Sequence, residues 1–208
     1  MLRPRLPVLL EIGTVYFLIQ TYVWHWQFTH PGLAWPLFLI LLVSHACHRD
    51  TMVRIGFRID NLAPALKLSA LASLPFFILL AAVGIEWGSL QALHVEKPLG
   101  VSGLHYLLWA TFQQYGLQGY FHHRLRQVVF NPILSSTINA FIFSSLHFPN
   151  PLLMLFTLFG GFALSMVYTR QPNIFALGVL HGLVGLLLVN SVPKELLHNM
   201  RVGPGYYR

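Results

Sequence analysis

The stretch IFALGVLHGLVGLLLVN, residues 174–190, holds no charged side chain and a single histidine. A helix needs about 20 mostly apolar residues, with a range of roughly 17–25, to cross the hydrocarbon core of a bilayer, so this stretch is long enough. The rest of the 208-residue chain is similar, because 55% of its residues are hydrophobic and only 9% are charged. Soluble domains carry roughly 25% charged residues, and disordered chains are poor in apolar ones. The composition therefore predicts a membrane-embedded protein.

Six further stretches of the chain are apolar enough for such a helix. The breaks between them fall at polar residues and prolines, such as Asn131-Pro132 and Asn150-Pro151. Proline starts helices well and continues them badly, because it lacks the amide donor and fixes φ. We predict an all-α fold, a polytopic membrane helix bundle of about seven transmembrane helices. The predicted spans are 7–24, 31–46, 63–85, 101–121, 132–149, 152–169 and 174–190.

Basic residues are unevenly divided between the two ends of these spans. Of the 13 Lys and Arg residues, nine fall on the side of the N-terminus and four on the other side. Cytoplasmic loops carry the excess of Lys and Arg, so we expect the N-terminus in the cytoplasm. The basic residues lie between apolar runs and form no stripe, so the net charge of +7 predicts no nucleic-acid partner. No small-residue cleavage site follows the first span, which favours a retained helix over a signal peptide.

Polar side chains are costly inside a membrane span and therefore mark candidate sites. Those in the predicted spans gather in the second half of the chain, where we expect the chemistry. If the turn between the fourth and fifth spans lies at Phe130, Gln113 and His147 are each 17 residues from it. At about 1.5 Å per residue, both then lie at one depth, roughly 25 Å along the hairpin. The polar residues concerned are Gln113, Gln114, Gln118, Ser144, Ser145, His147 and His181.

Several of these side chains have a purely structural interpretation. The two serines are expected to hydrogen-bond a neighbouring helix, and Gln114 and Gln118, four residues apart, are placed to bond each other. An imidazole in hydrocarbon needs a partner or a task, so for His147 and His181 both interpretations stay open. The seventh span also has a face of small residues that lets another helix approach closely, formed by Gly178, Gly182 and Gly185.

Four other histidines have a spacing that a metal site could use. His45 and His48 are three residues apart, and His122 and His123 could join them on the cytoplasmic side. Histidine-box membrane oxygenases carry many more histidines, so we predict no metal and no cofactor. Cys47 is the single cysteine of the chain, which excludes a disulfide and any CxxC site.

Three short motifs resemble those of the CPBP family, the CAAX protease and bacteriocin-processing (Abi) intramembrane peptidases. That family shows EExxxR in one helix, FxxxH in the next, and HxxxN or HxxxD two helices later. The same places here read QQYGLQ at 113–118, FSSLH at 143–147 and HGLVG at 181–185. The stretch RIGFRIDNLAPALK, residues 54–67, is similar to the segment that precedes the family's core. The likeness covers roughly residues 54–190.

The resemblance implies catalytic roles for Gln113, His147 and His181. In the family the first Glu activates a water, two histidines position it and stabilise the oxyanion, and the Asn assists. A glutamine amide cannot accept a proton, so the base here would be His147 or His181, with Gln113 orienting the water or donating to the oxyanion. The supporting positions are Gln114 and Gln118, which replace a Glu–Arg ion pair, Phe143 of the second motif, and Gly185, which replaces the Asn.

Two functions stay open on these observations. The first is an intramembrane endopeptidase that acts on a membrane-associated peptide or protein, such as a hydrophobic or lipid-modified peptide. The second is a catalytically silent pseudoprotease that binds a hydrophobic peptide or helix in a chaperone, immunity or sorting role. A membrane protein that handles a metal or small molecule through its histidines is a third interpretation. Membrane lipids are expected partners, and the sequence predicts no oligomeric state.

The chain is expected to form a single membrane domain, residues 1–208. Residues 1–62 would form peripheral helices and a linker, 63–190 a CPBP-like core, and 191–208 a polar tail. The tail is too polar for an eighth span, so we expect it to lie at the interface or remain loose. We expect a multi-pass protein of the cell membrane, specifically a bacterial inner membrane.

Overall fold

A computed structural model describes residues 5–89 and 99–208, and within these ranges the regular structure is helical. Seven of the helices in the described ranges overlap the seven predicted spans, one helix per span, and two short helices, α5 and α9, lie outside the spans. In chain order the helices are α1 (Arg5–Thr21), α2 (Ala34–His48), α3 (Leu62–Glu86), α4 (Leu99–Gln114), α5 (His123–Val128), α6 (Pro132–Ser145), α7 (Pro151–Arg170), α8 (Ile174–Ser191) and α9 (Lys194–Leu197).

The fourth predicted span is longer than its hydropathy indicated. A π-helical segment, Tyr115–His122, continues α4 directly into α5, so the helix runs seven residues beyond the predicted end at residue 121. A second π-helical turn, Tyr22–Trp26, extends α1. Such segments are rare and frequently lie at functional sites.

Asparagine side chains begin three of the helices. Oδ1 of Asn131 accepts hydrogen bonds from the backbone of Ile133 and Leu134 at the start of α6. Asn150 and Asn173 cap α7 and α8 in the same way. An N-cap oxygen satisfies amide donors that have no partner within the helix, and the proline that follows Asn131 and Asn150 suits the first helical position. The breaks predicted at the Asn-Pro pairs are therefore confirmed.

Five helices in the described ranges are long and apolar enough to cross a membrane. The chain is therefore a multi-pass membrane protein, and the count of about seven spans stays a prediction. The fifth predicted span, 132–149, is interrupted, because α6 ends at Ser145 and a turn follows it. The five qualifying segments are Arg5–Trp26, Pro31–His48, Leu62–Glu86, Pro151–Arg170 and Ile174–Ser191.

Helix α8 lies in the middle of the bundle, packed against α3 and α4. Its glycine face meets α4 at close range. A Cβ atom added at Gly178 would lie 2.7 Å from Cα of Thr111, and one at Gly182 would lie 3.3 Å from Cα of Leu107. Only residues without a side chain allow these two backbones to approach so closely, as the sequence predicted.

Loops from alternate connections meet at the two ends of the bundle. At one end the side-chain amide of Asn173 donates to the carbonyl of Arg58, 2.8 Å away. At the other end the backbone N–H of Gly203 donates to the carbonyl of Phe148, 2.9 Å away. The C-terminal segment, residues 192–208, is thereby packed against the bundle and is not a loose tail.

Candidate functional site

A cavity of about 60 Å³ lies among α3, α4, α6, α7 and α8, with room for a few water molecules. Its wall is mostly apolar and aromatic, with a small number of polar groups. Among the described residues that line it, none carries a carboxylate. The polar lining residues are Ser73, Tyr106, Gln114, Thr157 and His181.

The Gln114 amide and the His181 imidazole meet in this cavity. Gln114 is fully buried, and its Nε2 lies 3.0 Å from Nδ1 of His181. An amide nitrogen only donates, so Nδ1 is the acceptor and the proton of the neutral ring is on Nε2. The amide oxygen Oε1 is buried without a hydrogen-bond partner in the described part of the chain. A buried acceptor of this kind is normally satisfied by a water or a ligand donor.

His147 has its ring proton on the opposite nitrogen. It lies in the turn after α6, with Nδ1 2.7 Å from the carbonyl oxygen of Phe143. A carbonyl only accepts, so Nδ1 carries the proton and Nε2 keeps its lone pair. The position of Phe143 four residues earlier explains the contact, because this is one helical turn.

The Phe143 ring packs against both imidazoles. Its centroid lies 4.7 Å from that of His147 and 5.7 Å from that of His181, edge-on in each case. His147 is not a lining residue of the cavity itself, whereas Phe143 and His181 are. Both imidazoles nevertheless contact the same phenylalanine ring. The structure thus brings together three of the predicted site residues: Phe143 on α6, His147 in the turn after it, and His181 on α8.

Gln113 differs from its neighbour in what it faces. It is half-buried and is not among the cavity-lining residues, whereas Gln114 is fully buried and touches His181. Successive residues of an α-helix point about 100° apart, so only one of two adjacent glutamines can face a given partner. The structure therefore brings Gln114, and not Gln113, to His181.

Gln118 belongs to a separate neutral network beneath the site. The prediction that it bonds Gln114 was wrong, because each amide finds a partner on another helix. Nε2 of Gln118 donates to Ser165, 3.0 Å away, and its Oε1 accepts from Nδ1 of His122 and from Asn139. All four side chains are fully buried. Our sequence reasoning missed Asn139 and Ser165, although each is a polar residue inside a predicted span.

Gly185 leaves room for a side chain of α4. A Cβ atom at this position would collide with the hydroxyl of Tyr106 and lie 2.8 Å from its Cζ. The hydroxyl therefore occupies the space beside α8 one turn after His181. Tyr106 was not predicted as a site residue, and the only sequence signal was a tyrosine within an apolar span.

The two serines before His147 have structural roles, as expected. Ser144 donates to the carbonyl of Met154 on α7, 2.8 Å away. Ser145 donates to the carbonyl of Ile142 and accepts from the hydroxyl of Tyr16 on α1. These bonds fix the end of α6, and with it the turn that carries His147.

Of the four histidines whose spacing could suit a metal site, three meet in a charged cluster away from the cavity. His45 and His123 both donate to the carboxylate of Asp50, at 2.9 and 3.1 Å, and His48 bonds Glu11. The fourth, His122, faces Gln118 instead. In the described ranges no group of three His, Cys, Asp or Glu residues is arranged to hold a metal ion.

Arg124 is the centre of this charged cluster and is completely buried. Its guanidinium reaches Asp50 at 2.6 Å and Glu11 at 3.2 Å. Burial alone raises the pKa of Asp50, but the hydrogen bonds from His45, Arg124 and His123 outweigh it and hold the pKa well below its usual range. The cluster missed by the sequence reasoning therefore joins α1, α2 and the α2–α3 loop to α5.

The C-terminal segment closes one side of the cavity. Met200 is one of the lining residues. The fully buried side-chain amide of Asn150 donates to the carbonyls of Leu197 and Arg201, at 2.8 and 3.3 Å, and holds this segment over the turn that contains His147. The predicted polar tail is therefore part of the wall of the site.

A protein-family model described as type II CAAX prenyl endopeptidase Rce1-like matches residues 68–187. This match covers 120 of the 208 residues and contains Gln114, Phe143, His147 and His181. No curated protein and no solved structure matches the chain. The resemblance to the CPBP family of intramembrane peptidases is confirmed. The chain belongs to the Rce1-like family of type II CAAX prenyl endopeptidases.

Proposed function

We propose that the protein is an intramembrane endopeptidase in which His147 is the general base and His181 stabilises the oxyanion. The observation that carries this proposal is the opposite placement of the two ring protons. His147 donates at Nδ1 and keeps a lone pair at Nε2, whereas His181 accepts at Nδ1 and keeps a proton at Nε2. One ring is therefore set to accept a proton, and the other to donate a hydrogen bond.

The reaction is the hydrolysis of a peptide bond. Nε2 of His147 removes a proton from water as the water oxygen forms a bond to the carbonyl carbon. The carbonyl oxygen takes the negative charge and receives a hydrogen bond from Nε2–H of His181. As the C–N bond breaks, the His147 imidazolium returns the proton to the leaving nitrogen. The products are a carboxylic acid and an amine.

Gln114 has two roles in this proposal. Its Nε2 fixes the tautomer of His181, and its unpartnered Oε1 accepts a hydrogen bond from the attacking water. The amide cannot take the proton, so the base function lies with a histidine. We therefore assign to Gln114 the orienting role that the motif spacing gave to Gln113.

The proposed substrate is a hydrophobic or lipid-modified peptide that reaches the site from the bilayer. The apolar and aromatic wall of the cavity, with Phe76, Phe156 and Leu188 among its members, suits such a chain. The family description names prenylated CAAX sequences, which are peptides of this kind. We place the protein in the cell membrane, specifically a bacterial inner membrane, with lipids as its surroundings.

A catalytically silent pseudoprotease is the second candidate, and one observation favours it. The cavity-lining residues in the described ranges include no carboxylate, so the base that the family motif supplies is missing. Such a protein would bind a hydrophobic peptide or helix, in a chaperone, immunity or sorting role, and release it uncut.

The test is proteolysis by the purified protein in lipid nanodiscs. The substrate is a synthetic peptide with a farnesylated CAAX end, and the released C-terminal fragment is measured by mass spectrometry. We expect His147→Ala and His181→Ala each to lower product formation about 10²–10⁴-fold. His30→Ala is the control, because this histidine is exposed and its ring hydrogen-bonds the neighbouring Thr29, away from the cavity. Equal product from wild type and both alanine variants of the site would exclude the mechanism.

The adjacent glutamines provide a matched pair of variants for the second candidate. Gln114→Glu places a carboxylate beside His181, whereas Gln113→Glu places one outside the cavity lining. We expect Gln114→Glu to raise the rate and Gln113→Glu to leave it unchanged. Cleavage by Gln114→Glu but not by wild type would identify the natural protein as silent. If only Gln113→Glu raised the cleavage rate, the water-orienting role would belong to Gln113.

A further inference from the structure

The side chain of Tyr106 is a polar group of the cavity that has no role in the reaction proposed above. Tyr106 lies on α4 and lines the cavity together with Gln114 and His181. Its ring lies directly against Gly185, where an added Cβ would come within 2.8 and 2.9 Å of the ring carbons Cζ and Cε1. The absence of a side chain at Gly185 therefore lets the hydroxyl reach α8.

Tyr106 is half-buried, and no hydrogen bond of its hydroxyl is recorded among the residues that the structure describes. Tyrosine hydroxyls that are removed from water usually find a partner. By contrast, the hydroxyl of Thr157 on the cavity wall donates to the carbonyl of Leu153, 2.7 Å away. Tyr106 thus keeps a free O–H donor in the cavity.

The Tyr106 hydroxyl lies beside α8 one helical turn after His181. Gly185 follows His181 by four residues on α8, about 6 Å along the helix axis. An oxyanion accepts hydrogen bonds from donors roughly 2.7–3.1 Å away, so two donors about 6 Å apart can flank one oxygen atom. Tyr106 and His181 line the same cavity, which is where the carbonyl oxygen would lie in the proposed reaction.

We propose that Tyr106 is a catalytic residue that donates a hydrogen bond to the carbonyl oxygen as it becomes negatively charged. The inference rests on the proposed function and adds the second oxyanion donor to it. The proton stays on the tyrosine throughout, so the overall reaction is unchanged. Loss of one such donor typically lowers kcat about 10²–10³-fold, with little effect on the binding of the uncleaved peptide.

The test compares two ligands with wild type and Tyr106→Phe. One ligand is the farnesylated peptide, and the other is the same peptide with a phosphinate in place of the scissile bond, which mimics the tetrahedral oxyanion. We expect Tyr106→Phe to bind the phosphinate about 10²-fold more weakly and the peptide equally well, and to lower kcat without changing KM. Tyr168→Phe is the control, because its hydroxyl is buried without a partner in the described part of the chain and does not line the cavity.

A second variant distinguishes hydrogen bonding from ring packing. Tyr106→Ala combined with Gly185→Asn removes the ring and places an amide donor in the vacated space. We expect this double variant to bind the phosphinate more tightly than Tyr106→Ala alone.

Each outcome of these measurements decides the inference. Equal phosphinate binding by wild type and Tyr106→Phe would overturn it, as would a wild type that binds the phosphinate no more tightly than the peptide. A wild type that does not cleave, but loses phosphinate affinity on Tyr106→Phe, would refute the proposed activity and retain the donor role of Tyr106.

Discussion

Arg124 Nε lies 3.2 Å from Oε1 of Glu11, and 113 residues separate the two in sequence. Glu11 is on α1, outside the segment that matches the family model, whereas Arg124 is inside it. Arg124 is fully buried and also contacts Asp50. A buried guanidinium is tolerated only when it is paired and hydrogen-bonded, so this contact attaches the N-terminal helices to the family core.

Removal of the buried guanidinium is expected to destabilise the whole bundle. Arg124→Ala leaves two carboxylates without their cation, and loss of one partner of a buried ion pair costs about 3–5 kcal/mol. The measurement is the Tm of the purified protein by differential scanning fluorimetry. Arg126→Ala is the control, because that side chain is only half-buried and donates to the carbonyl of Phe130. Equal loss of Tm in the two variants would contradict this role of Arg124.

The stabilisation that Asp50 provides should disappear in acid. Its hydrogen bonds with His45, Arg124 and His123 outweigh its burial and lower the pKa of Asp50 in the folded protein. A lowered folded pKa stabilises at pH values above the unfolded pKa, about 3.9, and this contribution is lost as pH falls below it. We expect Asp50→Asn to lower Tm at pH 7, and the difference from wild type to shrink from pH 5 to pH 2, with most of the loss below pH 4. If the Tm difference between wild type and Asp50→Asn stayed constant over that range, the charge of Asp50 would not be the source of the stabilisation of the fold.

Asn150 should hold the C-terminal segment in place, in addition to capping α7. Asn150→Ala removes the cap and both hydrogen bonds to the segment, whereas Asn131→Ala removes a cap alone. Both variants should lose about 1 kcal/mol for the cap. Only Asn150→Ala should increase trypsin cleavage after Lys194 and Arg201, by about tenfold, measured by mass spectrometry. The same cleavage rate in both variants would show that the segment is held by other contacts.

Alanine substitutions at two helical glycines should have opposite effects on stability, because Gly178 lies against α4 whereas Gly13 faces open space. An alanine at Gly178 would meet the backbone of Thr111 at 2.7 Å, so we expect a loss of about 1–3 kcal/mol and a lower Tm. Gly13 lies in α1 with open space around it, and alanine there should raise helix stability by about 0.5–1 kcal/mol. A Gly178→Ala protein as stable as wild type would show that α4 moves away without cost.

The helices themselves could be predicted from the sequence. A bilayer supplies no hydrogen bonds to the backbone, so an apolar run of sufficient length must satisfy its own N–H and C=O groups as a helix. Asn150-Pro151 and similar pairs then fix where the helices begin, and the glycine face of α8 indicates where a neighbour approaches. Each of these signals is carried by residues close together in the chain, which is why the sequence alone predicted the helical class and most of the helix starts.

The partners of the polar side chains were decided by the tertiary structure alone. Gln113 and Gln114 are chemically identical neighbours, and only the rotation of α4 against α8 selects the one that meets His181, 67 residues away from Gln114. The pairing of Glu11 with Arg124 and the contact of Tyr106 with Gly185 depend in the same way on which helix faces lie together. Hydropathy indicates that a residue is buried, but it does not indicate which distant residue it contacts.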